Sequence, residues 1–464
     1  MFRRRISLVI LLLPAALSAA RQPQSADLLL TGGIVVTMDA ERRVLDPGAV
    51  AIRGGTIAAV GPVESMTAGW QADTVIDTSG QVVLPGLINT HGHAPMVLYR
   101  GLADDLALME WLERYIFPAE AKTVSPAMVR TGTRLAALEM IRTGTTTFVD
   151  MYYFEEEIAR AAREAGLRGV LGQTVIRFPA PDAPTPAAAL ERAKRFLETF
   201  ADDPLITPAV APHAAYTLDR ESLVASRDLA AAHDAPLLIH LAETEDEVRL
   251  VREQTGQRPA EYLESIGLLG PRTLAAHAVW LDAGEIALLR RRGVGVSHNP
   301  ESNMKLASGV APVPAMLEAG LAVGLGTDGA ASNNDLDMFE AMRQAALLHK
   351  VNTRDPRVVP AGAALAMAMI DGARALGMAD RIGSIEAGKL ADLIVVDMTR
   401  PGQTPLYDPV SHLVYATRGA DVRTTIVNGR VLMRDRQVQT LDEAQVLREA
   451  RAMAAQVRAA VAAR

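Results

Sequence analysis

The chain has 464 residues, 49% hydrophobic and 22% charged, enough to bury a large core and to hold one big domain beside a smaller one. With 47 Lys and Arg against 54 Asp and Glu, the formal net charge of -7 argues against nucleic-acid binding, which needs a basic surface. There is no cysteine, which excludes disulfides, thiolate nucleophiles and every zinc site built on sulfur, those of the cytidine-type deaminases included. Any metal must sit on His, Asp or Glu.

In chain order, the first segment stands apart. Arg3, Arg4 and Arg5 precede an apolar run from Ile6 to Leu13, and Ser18, Ala19 and Ala20 follow. A basic head, a short apolar stretch and a small-residue exit predict a signal peptide over residues 1–20 and a periplasmic protein. A mis-called start would instead leave the protein cytoplasmic. The run is too short for a comfortable membrane span, so no stable anchor is expected after cleavage.

From Asp27 to Val60, LLLTGGIVVTM and AVAIRGGTIAAVG alternate apolar runs with Gly-Gly turns, which predicts hairpins. ADLIVVDM and TTIVNGRVLM near the other end read alike. Residues 27–84 and 385–440 are therefore expected to meet in one small β-sandwich.

Residues 85–384 alternate differently. Eight strand-sized runs, VVLPGLINTHGH, TTTFVDMYY, GVLGQTVI, ITPAVAPH, PLLIHLAET, TLAAHAVWL, GVGVSHNP and AVGLGTDG, are separated by stretches with apolar residues at helical spacing. This predicts an α/β fold, a (β/α)8 barrel. A doubly wound sheet would instead need a glycine-rich phosphate turn after its first strand, and none is present. Residues 441–464, rich in Ala and Arg, read as a solvent-facing terminal helix.

Six of the nine histidines fall at ends of those runs: His91 and His93 at the first, His213 at the fourth, His240 at the fifth, His277 at the sixth and His298 at the seventh. Asp328 closes the eighth. In a barrel these ends converge on one mouth. His91 and His93 are two apart, so on a strand they would face one side and chelate one ion. Alone the pair is a weak motif; joined by His240 and Asp328 it predicts a metal site suited to Zn(II), with Fe(II) as an alternative from ligand type.

Other residues have an ordinary reading beside the functional one. Glu243 is three beyond His240, so the chain must turn there for both to face the mouth; otherwise it is one acid in a solvated run with Glu245, Asp246 and Glu247. His277 is a catalytic residue or a core histidine. Asp328, before Gly329, is a ligand or a turn cap.

Together PGLINTHGH, PLLIHLAET, AAHAV, VSHNPESNMKL and LGTDGAASNN resemble the amidohydrolase superfamily, and within it the 5-methylthioadenosine/S-adenosylhomocysteine deaminases, from about Asp27 to Val438. The resemblance implies a (β/α)8 barrel with a β-sandwich, and a single divalent ion on His91, His93, His240 and Asp328. Members with two metals carry a bridging lysine after the fourth strand, where this chain reads APHAAY. It further implies that the ion lowers the pKa of a water, that Asp328 and His277 accept its proton, and that Glu243 protonates the ring nitrogen beside the attacked carbon. Ammonia then leaves an aminated purine nucleoside.

Trp111, Glu120 and His213 resemble the family's substrate contacts, with Ser332 as another; core packing is the alternative for Trp111. One departure concerns S-adenosylhomocysteine: Gln173 stands in VLGQTVIRFP where an arginine is expected, and Arg177 is the nearest substitute. That favours 5′-deoxy- or methylthio-adenosines. The other enzymatic reading is hydrolysis of another ring or amide, such as guanine, a pterin or a triazine. The expected partner is a small molecule, with no nucleic acid; a homo-oligomer is compatible with the sequence.

Overall fold

The computed structural model describes residues 22–462; the expected signal peptide, residues 1–20, lies outside the described residues. Eight parallel strands close into a barrel. They are β1 (Leu87–Asn89), β2 (Thr145–Tyr152), β3 (Arg168–Val175), β4 (Ile206–Pro212), β5 (Leu237–Leu241), β6 (Thr273–His277), β7 (Gly295–His298) and β8 (Val323–Leu325). Almost every residue in them is buried, as expected where helices cover the outside of a parallel sheet.

Local chemistry sets the helices between them. Ser125, Thr185, Asp219, Thr244 and Asp282 each accept a backbone N–H at a helix start, and Gly144, Gly166, Gly256 and Gly293 end helices in the left-handed conformation. Helix and strand thus alternate with short, defined connections, and the C-terminal ends of the strands gather at one mouth.

The first predicted run is divided. Gln81–Pro85 belongs to an outer sheet and only Leu87–Asn89 enters the barrel. The break falls at Gly86, where an added Cβ would lie 2.1 Å from Thr146 Oγ1, so only glycine permits the close approach.

The chain ends do meet. Gln81–Pro85 pairs antiparallel with Leu393–Asp397, Val83 opposite Val395 and Leu84 opposite Ile394, inside a seven-stranded sheet. A four-stranded sheet built from Gln24–Thr31, Gly48–Arg53, Thr56–Pro62 and Trp70–Asp77 packs on it through Leu30, Ile52, Val83, Val395 and Ile426. The last helix, Glu443–Ala462, departs from the expectation of a solvent-facing element. Val446, Ala450 and Val457 are buried, and Arg134 and Arg142 of helix Pro126–Thr143 pair with Glu449 and Glu443. Its alanines leave a narrow apolar stripe that polarity around the rest of the helix masks in the sequence. No helix among the described residues is long and apolar enough to cross a membrane.

Barrel and sandwich are tied by a buried ion pair. Arg168, which opens β3, donates from Nε to Asp392 Oδ2 at 2.8 Å and from Nη2 to Oδ1 at 3.2 Å, and Asp392 also accepts from the Asn428 backbone at 2.7 Å. Both side chains are at most 3% exposed. Removing one partner strands the other charge in the interior. Arg168→Ala is therefore expected to lower unfolding stability by about 3–5 kcal/mol in urea titrations; a loss below about 1 kcal/mol, the range of exposed pairs, would contradict this assignment.

Candidate metal centre

His91 and His93 lie beyond the end of β1, in a turn rather than on the strand, so strand alternation is not what aims them. A network across the seam between β1 and β8 does it. Asn89 Nδ2 donates to Thr327 Oγ1 (2.7 Å), Asn89 Oδ1 accepts from the backbones of Thr327 (3.1 Å) and His91 (3.3 Å), and the Asp328 backbone donates to the His91 carbonyl (3.0 Å). Asp328 has φ 64° and His277 has φ 72°, left-handed conformations that non-glycine residues adopt rarely and that gather at functional sites.

The donor atoms converge. Those of His91, His93 and His240 lie within 4.8 Å of one another, as do those of His91, His277 and Asp328. His93 Nδ1 donates to the Met151 carbonyl (2.7 Å) and His240 Nδ1 to the His213 carbonyl (2.8 Å), so that Nε2 is the nitrogen each ring turns to the centre. Buried His91 Nε2 has no hydrogen-bond partner and sits 3.5 Å from Asp328 Oδ1; His93 Nε2 is 3.2 Å from the same oxygen. Burial works against the charge of Asp328, yet His91 and His93 hold its carboxyl well below the usual range. Burial likewise opposes protonation of His93, but Asp328 lifts it to about 9. Three imidazoles and one carboxylate around a point that attracts positive charge fit a divalent cation, whose binding would displace that proton.

Glu243 reaches the same cavity because the chain turns after β5. Ala242 has φ 49°, and the Ala242 and Glu243 backbones donate to Glu247 Oε1 and Oε2, both at 2.8 Å. Glu247 is 3% exposed, so it is an internal anchor for the turn and not part of a solvated acidic run. Burial, reinforced by Asp328 and Glu247, pushes the Glu243 carboxyl well above its usual range. Its Oε2 is 3.8 Å from His277 Nε2. Burial pulls His277 down to about 3 and also His213 to about 3, which favours the neutral imidazole in both.

The remaining expected residues divide. Trp111 and Glu120 line the cavity from a helical segment interrupted by a π turn at Leu112–Ile116, a local widening common at functional sites. Glu120 accepts from Tyr152 Oη at 2.6 Å, and burial raises its carboxyl to about 7. His213 lines the cavity with Nδ1 on Thr217 Oγ1 at 3.1 Å. Ser332 also lines it, bonded to Asp328 Oδ2 at 3.1 Å. Arg177 lies outside, in an adjoining groove with Phe178 that shares Leu112, Phe117 and Tyr216 with the cavity.

Two sequence expectations change. His298 faces away from the mouth, its Nε2 3.1 Å from that of His349, so the strand-end count overstates the cluster by one. Gln173 is turned out of the cavity onto Asp182 (2.9 Å), while Thr174 lines it. The side chain at 173 that the sequence reading weighed against S-adenosylhomocysteine therefore does not line the cavity. Tyr152, Glu247, Ser302 and Asn303 also belong to the site, Ser302 donating to Asp328 Oδ2 at 2.7 Å and Asn303 to His277 Nδ1 at 2.9 Å. The spacing of histidines points to none of them; the polar run ESN after β7 is the one available signal.

Metal analysis of purified variants tests this arrangement. His240→Ala is expected to weaken binding of a divalent ion by more than about 100-fold, beyond the effect of losing an outer partner, while His298→Ala leaves it unchanged. Equal effects from both would contradict the geometry.

A "5-methylthioadenosine/S-adenosylhomocysteine deaminase" of Syntrophobacter fumaroxidans is 53% identical over 429 residues, covering 92% of this chain and 98% of that one. A "5'-deoxyadenosine deaminase" of Methanosarcina acetivorans is 48% identical over 431 residues, covering 92% and 98%. Among solved structures, an adenosine deaminase from Xanthomonas campestris with bound zinc superposes with a TM-score of 0.93 at 40% identity, over 94% of this chain and 100% of that one. The model of the amidohydrolase family matches residues 82–432, and the chain belongs to that family.

Proposed function

We propose that the chain is a hydrolytic deaminase of adenosines altered at the ribose 5′ position, of the 5′-deoxy, methylthio or S-adenosylhomocysteine type. The observation that carries this reading is Glu243, a buried carboxyl that burial pushes toward its acid form, in the cavity lined by His93, His240, His277 and Asp328 and beside His91. Relatives named as deaminases of such adenosines, 47–53% identical over at least 88% of this chain, support the substrate class.

His91, His93, His240 and Asp328 would hold one divalent ion, Zn(II) by the donor set. When bound, the ion supplies Lewis acidity to a water. The chain's own residues move the protons. Asp328, kept ionised, is the acceptor for the proton that the water gives up. Glu243, kept protonated, donates to the ring nitrogen beside the attacked carbon. The proton taken up by Asp328 passes to the departing amino group, which leaves as ammonia, and the hydroxyl proton returns to Glu243 as the ring carbonyl forms.

The rest of the cavity orients the nucleoside. Thr217 Oγ1 donates to the Ala214 carbonyl and so accepts from His213 Nδ1–H, leaving His213 Nε2 to accept from a hydroxyl. Glu120, anchored by Tyr152, offers its carboxyl to the ribose. Trp111 supplies an apolar wall, and the groove holding Arg177 and Phe178, which shares Leu112, Phe117 and Tyr216 with the cavity, offers room for a 5′ substituent.

Ammonia release from 5′-deoxyadenosine, 5′-methylthioadenosine, S-adenosylhomocysteine, guanine and a triazine is the direct test. Turnover of the adenosines is expected, with Glu243→Gln lowering kcat by about 10²- to 10⁴-fold while bound metal is kept. Release from guanine or the triazine and from none of the adenosines would overturn the reading.

A further inference from the structure

His277 closes β6 with Nε2 toward the cavity, 3.8 Å from Glu243 Oε2, and with Nδ1 toward the short helix Pro300–Lys305. That inner nitrogen meets two carboxamides, Asn303 Nδ2 at 2.9 Å and Asn299 Nδ2 at 3.3 Å. All three side chains are at most 1% exposed, so no bulk water competes.

The direction of these bonds is fixed by what surrounds them. Asn299 Oδ1 accepts from Ser297 Oγ at 3.0 Å, so the amide nitrogen of Asn299 is the end that faces His277. Asn303 Oδ1 is buried without a partner. An amide nitrogen can only donate, so Nδ1 must be the acceptor and a neutral imidazole must carry its proton on Nε2. Turning Asn303 over would satisfy an Nδ1–H there but would set it against the Asn299 donor.

We propose that Asn303, seconded by Asn299, is a positioning residue that fixes His277 as the Nε2–H tautomer, so that His277 serves the site as a hydrogen-bond donor and not as a proton acceptor. This rests on the deaminase reading for its catalytic consequence and refines it: the family resemblance gives the water's proton to Asp328 and His277 jointly, whereas this geometry leaves Asp328 as the acceptor. Ser302 and Asn303 are neighbours on one helix, the first on Asp328 Oδ2 and the second on His277 Nδ1, so a single turn of chain orients both groups.

The test combines a tautomer measurement with kinetics on the zinc-loaded enzyme. Long-range 1H–15N spectra of 15N-histidine-labelled protein, with His277 assigned by its loss in His277→Gln, are expected to show Nε2 protonated and Nδ1 bare. Asn303→Asp keeps the shape but replaces a donor with an acceptor; it is expected to move the proton to Nδ1 and to lower kcat on 5′-deoxyadenosine by about 100-fold. KM and bound zinc should stay within about threefold of wild type, an effect well below the 100-fold loss of a donor. Asn303→Ala, which leaves the Asn299 donor, is expected to cost less than Asn303→Asp, the reverse of a purely packing role. An Nδ1–H signal in the wild type, or a larger loss in the alanine variant, would overturn the proposal. The spectra need no substrate, so a chain that deaminates no adenosine would defeat the functional reading alone and leave the tautomer result standing.

Discussion

A single buried carboxylate organises the mouth of the barrel. Asp328 is 6% exposed, and an ionised group taken that far from water is costly unless every oxygen is matched. Its Oδ1 receives the Gly329 backbone at 2.7 Å and faces His91 and His93, while its Oδ2 receives the hydroxyls of Ser302 and Ser332. These partners come from after β1, β7 and β8, so satisfying one charge fixes the relative positions of three loops. The left-handed backbone at Asp328 is the strain that such over-determined sites can carry.

The contrast with Glu243 follows from the same physics. Both are carboxyls buried in one cavity, yet imidazoles and hydroxyls hold Asp328 ionised, whereas Glu243 has no cationic partner and faces Asp328 itself. Burial and that like charge keep Glu243 protonated. Two carboxyls separated in this way supply an acceptor and a donor at one pH, the division that adding water across a ring C–N bond requires.

Much of this was legible in the sequence because barrel geometry converts strand ends into neighbours. His91, His93, His240, His277 and Asp328 are separated by up to 237 residues, yet β/α alternation alone sends them to one mouth. Periodicity said less where direction depends on a turn. It could not show that Glu247 looks inward to hold the Ala242–Glu243 turn, that His298 pairs with His349, or that Thr174 rather than Gln173 lines the cavity. Each of these depends on which way one residue past a strand end, or one strand residue, points. Arg177 marks another boundary: sequence distance put it beside the site, while the fold put it in the neighbouring groove.

Central to all of this is the proposal that residues following β1, within β5 and after β8 share one cation. Anomalous diffraction from crystals at the absorption edge of the bound metal measures that directly. One peak per chain is expected, within bonding distance of His91 Nε2, His93 Nε2, His240 Nε2 and Asp328 Oδ1. A peak elsewhere, or an ion that leaves Asp328 uncoordinated, would contradict the account.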